Sequence, residues 1–521
     1  MNHDSRVRRC SSPFRPPPGM VRLVASAVLA SLLAPSVPAQ VVVEDLPSDS
    51  ALARAGVEPG DVLAAWAAAE SATDGREAAE QRQITGPLTF ELLRLDQAPR
   101  GTVVVQGQRR GAVVSFTVEP GDWRVRVRPP LSAAELATYA AVRQQVVDGG
   151  GGAALAQVAE AAGAAEDRPT AIWWWLRSGE LWAEGRAFDL ARSAYQRATE
   201  LAVEDRDLAA VVAYCRGRLA EAANDLPAAE ATYRSVVASY GAAAESSLLV
   251  ARSHARLGKI AWAHGDLGQV AQSVGLALRL TQALASHSVE LAERLNDAAY
   301  MAQLQGDNAT AAEQLARAHD LLAELAPASP AMADTLHYQA LVERGRGLLT
   351  AAESTLRGAL ELSQRLASTE ADAAVAYRLR ALGELQRMQG DFALAEESLR
   401  QAQAIQEQAV PGGWQLALTL TALADVLDDG GRDGLAEPLY RRALAVLENL
   451  GNEYLAAHVL GNLATVLAER GEVEEAARHF QRTLTIYRQK TPGSPGIPWA
   501  LQQLGLAAIE ASDLEVAESH F

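Results

Sequence analysis

A unit of about 41 residues recurs through the last two thirds of this 521-residue chain, and it restricts the fold more than any other feature. Turn residues stand at Arg186, Asn224, Gly265, Gly306, Gly347, Gly390, Gly431, Gly471 and Ser512, at intervals of 38, 41, 41, 41, 43, 41, 40 and 41. Five residues after each turn comes a small side chain, such as Ala229, Ala311 or Ala395. Four further on stands a bulky one (Tyr233, Leu315, Leu399, Phe480), and three beyond that another small one (Val236, Ala318, Ala402, Thr483). Seven residues before each turn the chain is small again, as at Gly217, Gly258, Gly383 and Ala464.

Spacings of four and three place these residues on one helical face. Small residues on both sides of the turn let two antiparallel helices approach closely, and the bulky residue is expected to fill the groove to the next hairpin. One hairpin cannot bury such a stripe by itself, so the hairpins must stack. Apolar residues are 49% of the chain and aromatics only 5%, an Ala- and Leu-rich balance that favours helix.

The segments "GDNATAAEQLARA" from Gly306, "GDFALAEESLRQA" from Gly390 and "GRDGLAEPLYRRA" from Gly431 resemble the tetratricopeptide repeat. The unit length is similar to that of the long repeats of kinesin light chains, most closely in "LGNLATVLAERGEVEEAARHF", 460–480. The resemblance implies a mainly α chain, a right-handed α-solenoid over residues 169–521, preceded by a small β-rich domain. The last unit reaches its bulky position at Phe521, so the final repeat is expected to be incomplete and the chain to be the N-terminal part of a longer protein.

The beginning of the chain has a different character. Positive charge precedes the twelve-residue apolar run Leu23–Ala34, and Val37 and Ala39 occupy small-residue cleavage positions. Residues 1–39 therefore read as a secretory signal cut between Ala39 and Gln40, and the protein is expected in the periplasm or outside the cell. Cleavage removes five arginines and one aspartate from 47 basic and 64 acidic residues, leaving 42 and 63, a net charge of −21. So acidic a chain lacks the basic footprint of a nucleic-acid binder. Cys215 is then the only cysteine left, which excludes an internal disulfide and reads as an inert thiol.

Between 40 and 130 the order is a short strand at Val41–Glu44, the stretch "ARAGVEPGDVL", a helical segment at Pro87–Asp96, and a hairpin around "QRRG". This resembles a PDZ domain. The family's carboxylate-binding loop would fall on "PSVPAQ", which cleavage largely removes, so a structural or docking role is expected over capture of peptide tails. The strand at Val41–Glu44 is left as an edge open to β-augmentation. Residues 131–168 read as a helical connector broken by "DGGGGA" at 148–153, a turn that lacks the lysine and hydroxyl of a phosphate loop. Trp173, Trp174 and Trp175 at the start of the array read as core or cap.

No H-E-x-x-H, C-x-x-C or G-x-S-x-G pattern occurs, so no catalytic, metal or cofactor site is expected. Function would then fall to the concave face, lined by the first helix of each hairpin. Helical spacing from the small residues places Arg218, Lys259 and Tyr300 there, then Arg344, Arg380, Glu384 and Arg387, and finally Asp425 and Asp428. The trio Arg380, Glu384 and Arg387 suits a protein or peptide partner carrying both charges. The succession of signal, PDZ-like module and long repeats also resembles the N-terminal half of bacterial CHAT-domain proteins, which implies a caspase-like cysteine protease domain beyond residue 521.

Overall fold

The computed structural model describes residues 40–69, 81–147, 157, 161, 163, 168–184, 187–367, 372–410, 412–491, 496–510 and 514–520. The expected signal with Ala39, the "DGGGGA" turn, and Arg186, Ser512 and Phe521 lie outside them.

The N-terminal module is an antiparallel sheet of β1 (Val41–Asp45), β2 (Val62–Ala68), β3 (Arg82–Gln83), β4 (Val103–Arg109), β5 (Ala112–Val118) and β6 (Arg126–Arg128). Its order is β5-β4-β2-β1-β6, with β3 paired to β2. At the β4–β5 turn Arg110 and Gly111 both have positive φ (50° and 82°), which matches the right-handed twist of the two strands. Strand β1 is not an edge: it pairs with β2 on one side and with β6 on the other. The expected opening at Val41–Glu44 is therefore closed, because the chain returns at Arg126–Arg128 to satisfy the same backbone groups.

Helix α1 (Ala51–Arg54) and helix α2 (Pro87–Leu92) complete the module, and α2 runs on into a π-helical turn at Leu93–Gln97. Helix α3 (Ala133–Val147) leads to the array, where Tyr139 packs edge-on to Trp173 and Trp174 at 5.3 and 5.8 Å. Trp174 is fully buried, so these tryptophans are the core of the array's first end, under α3.

Nine helix pairs follow among the described residues. Hairpins 1 to 3 are Arg168–Glu184 with Phe188–Ala202, Arg206–Ala222 with Leu226–Tyr240, and Leu248–Ala263 with Leu267–Leu284. Hairpins 4 to 6 are Val289–Leu304 with Asn308–Leu325, Pro330–Gly345 with Leu349–Leu366, and Ala373–Gln389 with Phe392–Ala409. Hairpins 7 to 9 are Trp414–Asp429 with Asp433–Asn449, Glu453–Glu469 with Val473–Lys490, and Gly496–Glu510 with Leu514–His520.

Local chemistry sets these boundaries. The seven described turn residues from Asn224 to Gly471 all adopt positive φ, between 57° and 86°, a conformation glycine and asparagine reach at least cost. Ser247, Ser288 and Ser329, one repeat apart, cap first helices through their hydroxyls. Asp225, Asp266 and Asp307 cap second helices in the same way.

The small positions after the turn are buried in every hairpin. The bulky position differs from expectation. It lies over the small residue of its own first helix, sixteen positions earlier, as well as reaching toward the next hairpin. A Cβ at Gly217 would stand 2.7 Å from the Tyr233 ring, and one at Gly383 2.6 Å from Leu399 Cγ. Phe480 also meets Trp499 of hairpin 9, with ring centres 5.7 Å apart. No helix among the described residues is long and apolar enough to cross a membrane.

Candidate functional site

Two long-range contacts shape the concave face. The first brings the array back on itself. The Asn452 amide, wholly buried at the start of hairpin 8, donates to Trp262 O (3.1 Å) and Ala263 O (2.8 Å) at the end of the first helix of hairpin 3. Its Oδ1 accepts from Leu455 N at 2.9 Å, so one side chain both caps its own helix and ties two distant repeats. Gly265 has no room for a side chain, since a Cβ there would lie 2.7 Å from Asn452 Oδ1. The Trp262 ring meets Trp414 of hairpin 7 at 6.3 Å and Tyr454 of hairpin 8 at 6.2 Å.

The second contact is the N-terminal module. Leu88 and Leu95 share a core with Ile172, Val211 and Leu249. Asp96 Oδ1 accepts from Leu248 N at 2.6 Å and from the Ser247 hydroxyl at 3.2 Å, adding a cap to hairpin 3 from outside the array. Arg100 and Arg54 donate to Ser246 O (2.7 Å) and Leu325 O (3.2 Å). The module is thus anchored on hairpins 1 to 4.

Two adjoining cavities lie within this frame. One, of about 450 Å³, is bounded by Trp262, Tyr300, Tyr338, Tyr377 and Trp414, with Asp297 and Asp334 on its wall. The other, of about 270 Å³, is polar; Glu91, Arg94 and Leu95 of the module form one side and Arg218, Arg252 and Glu293 face them. Lys259, Asp297, Asp334 and Tyr338 border both. Rings run along the larger cavity, Trp262 to Tyr300 at 5.5 Å and Tyr300 to Tyr338 at 5.3 Å.

Of the nine residues expected on the concave face, Arg218, Lys259 and Tyr300 line these cavities. The rest, Asp428 excepted, form a ladder across hairpins 5 to 8. Glu384 accepts from Arg344 at 2.8 Å and also from Arg380, whose guanidinium lies over the Tyr377 ring. Burial works to raise the Glu384 carboxyl, but Arg380 and Arg344 outweigh it and hold the group below its usual range. Arg387 donates to Asp429 at 2.8 Å and stands 3.9 Å from Asp425. Asp425 accepts from the Tyr440 hydroxyl (2.6 Å) and from Asn462 (2.9 Å), and burial pushes its carboxyl up. The expected trio is therefore tied into ion pairs, Arg380–Glu384 within one helix and Arg344–Glu384 and Arg387–Asp429 between successive first helices.

Asp428 lies apart from this ladder, with carboxylate oxygens of Asp428, Asp433 and Glu469 all within 4.8 Å of one another. Burial first, then repulsion from Glu469 and Asp433, raises its carboxyl to about 6. Cys215 borders the smaller cavity with its thiol pushed up to about 12 by burial, which agrees with an inert cysteine.

Sequence reasoning missed Trp262, Tyr338, Tyr377 and Trp414. The first helices carried a signal for three of them: Trp262, Tyr300, Tyr338 and Tyr377 are spaced by 38, 38 and 39, about one helical turn short of the 41-residue repeat. Each aromatic thus steps back one turn per hairpin.

The tetratricopeptide repeat family model matches residues 382–449 and 454–521, so the array carries tetratricopeptide repeats. Among solved structures, BtubC (BKLC) from P. vanneervenii is similar at 24% identity, covering 47% of this chain and 88% of that one, with a TM-score of 0.35. A Podosopora anserina protein described as a putative kinesin light chain with nearly identical TPR-like repeats is similar at 17% identity, covering 37% of this chain and 92% of that one, with a TM-score of 0.33. A singly substituted form of that protein gives the same values. No curated protein matches the chain.

Proposed function

We propose that this chain is an exported, non-enzymatic scaffold that holds a protein partner against the first helices of hairpins 5 to 8. The carrying observation is the half-exposed ladder Arg344–Glu384–Arg380 and Arg387–Asp429. The Arg387–Asp429 pair is the most exposed of these, and exposed ion pairs contribute about 0–1 kcal/mol each. A partner segment carrying both charges can exchange that pair at little cost and gain register from the alternation along the ladder.

A peptide library selected on the full chain tests this. Enriched peptides should carry both charges, bind less at high salt, and lose affinity on Arg344→Glu and on Arg387→Glu. Peptides indifferent to both substitutions would overturn the placement. Export rests on the N-terminal pattern, and protein from the native host should begin at Gln40; an intact Met1 or Met20 start would reject it.

A second proposal rests on the order of signal, module and array: the chain is the regulatory arm of a CHAT-type cysteine protease. Reading the gene beyond Phe521 decides it, since a stop codon or a domain without a His/Cys dyad would rule it out.

A further inference from the structure

We propose that the two adjoining cavities form a binding site for a small amphipathic organic acid, with its carboxylate met by Arg218 and Lys259 and its apolar body among Trp262, Tyr300, Tyr338 and Trp414. This site adjoins the partner surface on hairpins 5 to 8, since Tyr338, Tyr377 and Trp414 belong to the first helices of hairpins 5, 6 and 7.

Charge matching carries the first half. The smaller cavity is bordered by six cations, Arg94, Arg218, Arg252, Arg256, Lys259 and Arg294, against the four carboxylates Glu91, Glu293, Asp297 and Asp334. Each carboxylate already has an arginine: Arg94 for Glu91, Arg294 at 3.1 Å for both Glu293 and Asp297, and Arg378 at 2.6 Å for Asp334. Arg252 and Arg256 are engaged by Glu290 and by Glu221 (3.3 Å). Among the described residues, Arg218 and Lys259 alone of the six have no ion-pair partner within 4.0 Å. Because Arg294 serves two carboxylates, the seven cations of this set, counting Arg378, face six carboxylates, counting Glu290 and Glu221. In a chain of net charge −17 that positive excess, at Arg218 and Lys259, selects an anion.

The second half comes from the adjoining chamber. Its rings offer an apolar surface. Trp262, nine-tenths buried, is held in place by its ring contacts with Tyr300, Trp414 and Tyr454. Because Lys259 and Tyr338 border both cavities, one molecule can place its head in the smaller and its body in the larger.

Size argues for a small molecule. The larger volume, about 450 Å³, falls within the roughly 300–1,000 Å³ of small-molecule sites, and the smaller, about 270 Å³, adds room for a head group only. A helical partner would need a groove of about 10–12 Å diameter. Here the module's 87–97 segment and the Asn452 contact occupy the flanks of the face.

The test is calorimetric titration of the full chain with octanoate and 3-phenylpropionate, alongside octylamine, 3-phenylpropylamine and an acetylated tetrapeptide ending in phenylalanine with a free carboxylate. The acids should bind saturably with dissociation constants below about 1 mM and quench tryptophan fluorescence, and the amines should not. Lys259→Gln and Arg218→Gln should each weaken the acids about tenfold or more, the effect of losing a charged hydrogen bond. Neither residue holds an ion pair within 4.0 Å, and each loses only longer-range attraction, Arg218 to Glu91 and Lys259 to Glu293 and Asp334, so both variants should stay folded and melt close to the parent; if Arg218→Gln misfolds, Lys259→Gln still decides. Amines binding as well as acids, acids indifferent to Lys259→Gln, binding of the tetrapeptide alone, or no saturable acid binding would each overturn the proposal.

Discussion

Gly258 and Gly383 occupy the same position in hairpins 3 and 6, yet alanine should act on them with opposite sign. Both lie inside helices, where replacing glycine with alanine gains about 1 kcal/mol from backbone entropy alone. At Gly258 the new methyl would meet Ser273 Cβ and Val274 Cγ2 at 3.5 Å, ordinary contacts that leave the gain intact. At Gly383 it would stand 2.6 Å from Leu399 Cγ and 3.1 Å from Ala395 O. Leu399 is wholly buried and the carbonyl belongs to the partner helix, so the hairpin itself must open. Overpacking of this kind costs about 1–3 kcal/mol. The net expectation is a stabilisation of about 0.5–1 kcal/mol for Gly258→Ala and, after the same gain is subtracted from the overpacking cost, a loss of up to about 2 kcal/mol for Gly383→Ala. Urea midpoints at unchanged slope read both. If both midpoints rise, the bulky residue does not rest on the small residue of its own hairpin, and the packing account fails.

Asn452→Asp retains the cap acceptor but loses both N–H donors to Trp262 O and Ala263 O, so it should destabilise at least as much as Asn452→Ala, by about 2–4 kcal/mol from cap and buried donors together. A mild effect of the aspartate variant in denaturant would mean that the contact between hairpins 3 and 8 is incidental. His337 is wholly buried with neither ring nitrogen hydrogen-bonded, and burial, then Arg378, Arg380 and Arg344, holds its pKa well below 6.5. The neutral form's stability is thus complete above pH 6.5 and is lost as the pH falls below it, at up to about 1.4 kcal/mol per unit. His337→Phe should flatten the stability profile between pH 6.5 and about 5 relative to the parent; parallel profiles would refute this. Asp428, raised to about 6, weakens the fold once it ionises, so the deficit opens as the pH climbs from about 4 through 6. Asp428→Asn should stabilise at pH 7.5 by on the order of 1 kcal/mol after allowance for solvent screening and not at pH 4, and equal midpoints at pH 7.5 would reject the repulsion.

The repeat was legible because each hairpin solves the same local problem with the same residues. Gly306 and Gly390 announce left-handed turns, and Gly217 and Gly383 announce close helix approach, whatever lies farther along. The ion-pair ladder was hidden in plain sight: Arg344 and Glu384 are 40 residues apart and Arg387 and Asp429 are 42, so the repeat period itself delivers the partner. Reading one helix at a time left those charges free. Closure of the face was not legible, because it depends on rotation accumulated over five hairpins. Gly265 and Asn452 also carry local explanations, a turn and a cap, that conceal their mutual contact. Docking of the module was equally hidden, since Asp96 reads as a surface acid until Leu248 N is beside it.

Stacked hairpins ordinarily tolerate gain or loss of a unit, because each touches only its neighbours. The Asn452 contact removes that freedom here. Hairpins 4 to 7 are the span between two fixed ends, and inserting or deleting one would carry Asn452 away from the carbonyls of Trp262 and Ala263 and leave Gly265 facing nothing. The number of units in this stretch is therefore constrained by the contact itself. Descendants of this chain are expected to vary in side chains along the ladder and in length outside hairpins 3 to 8, while the count between them stays at four.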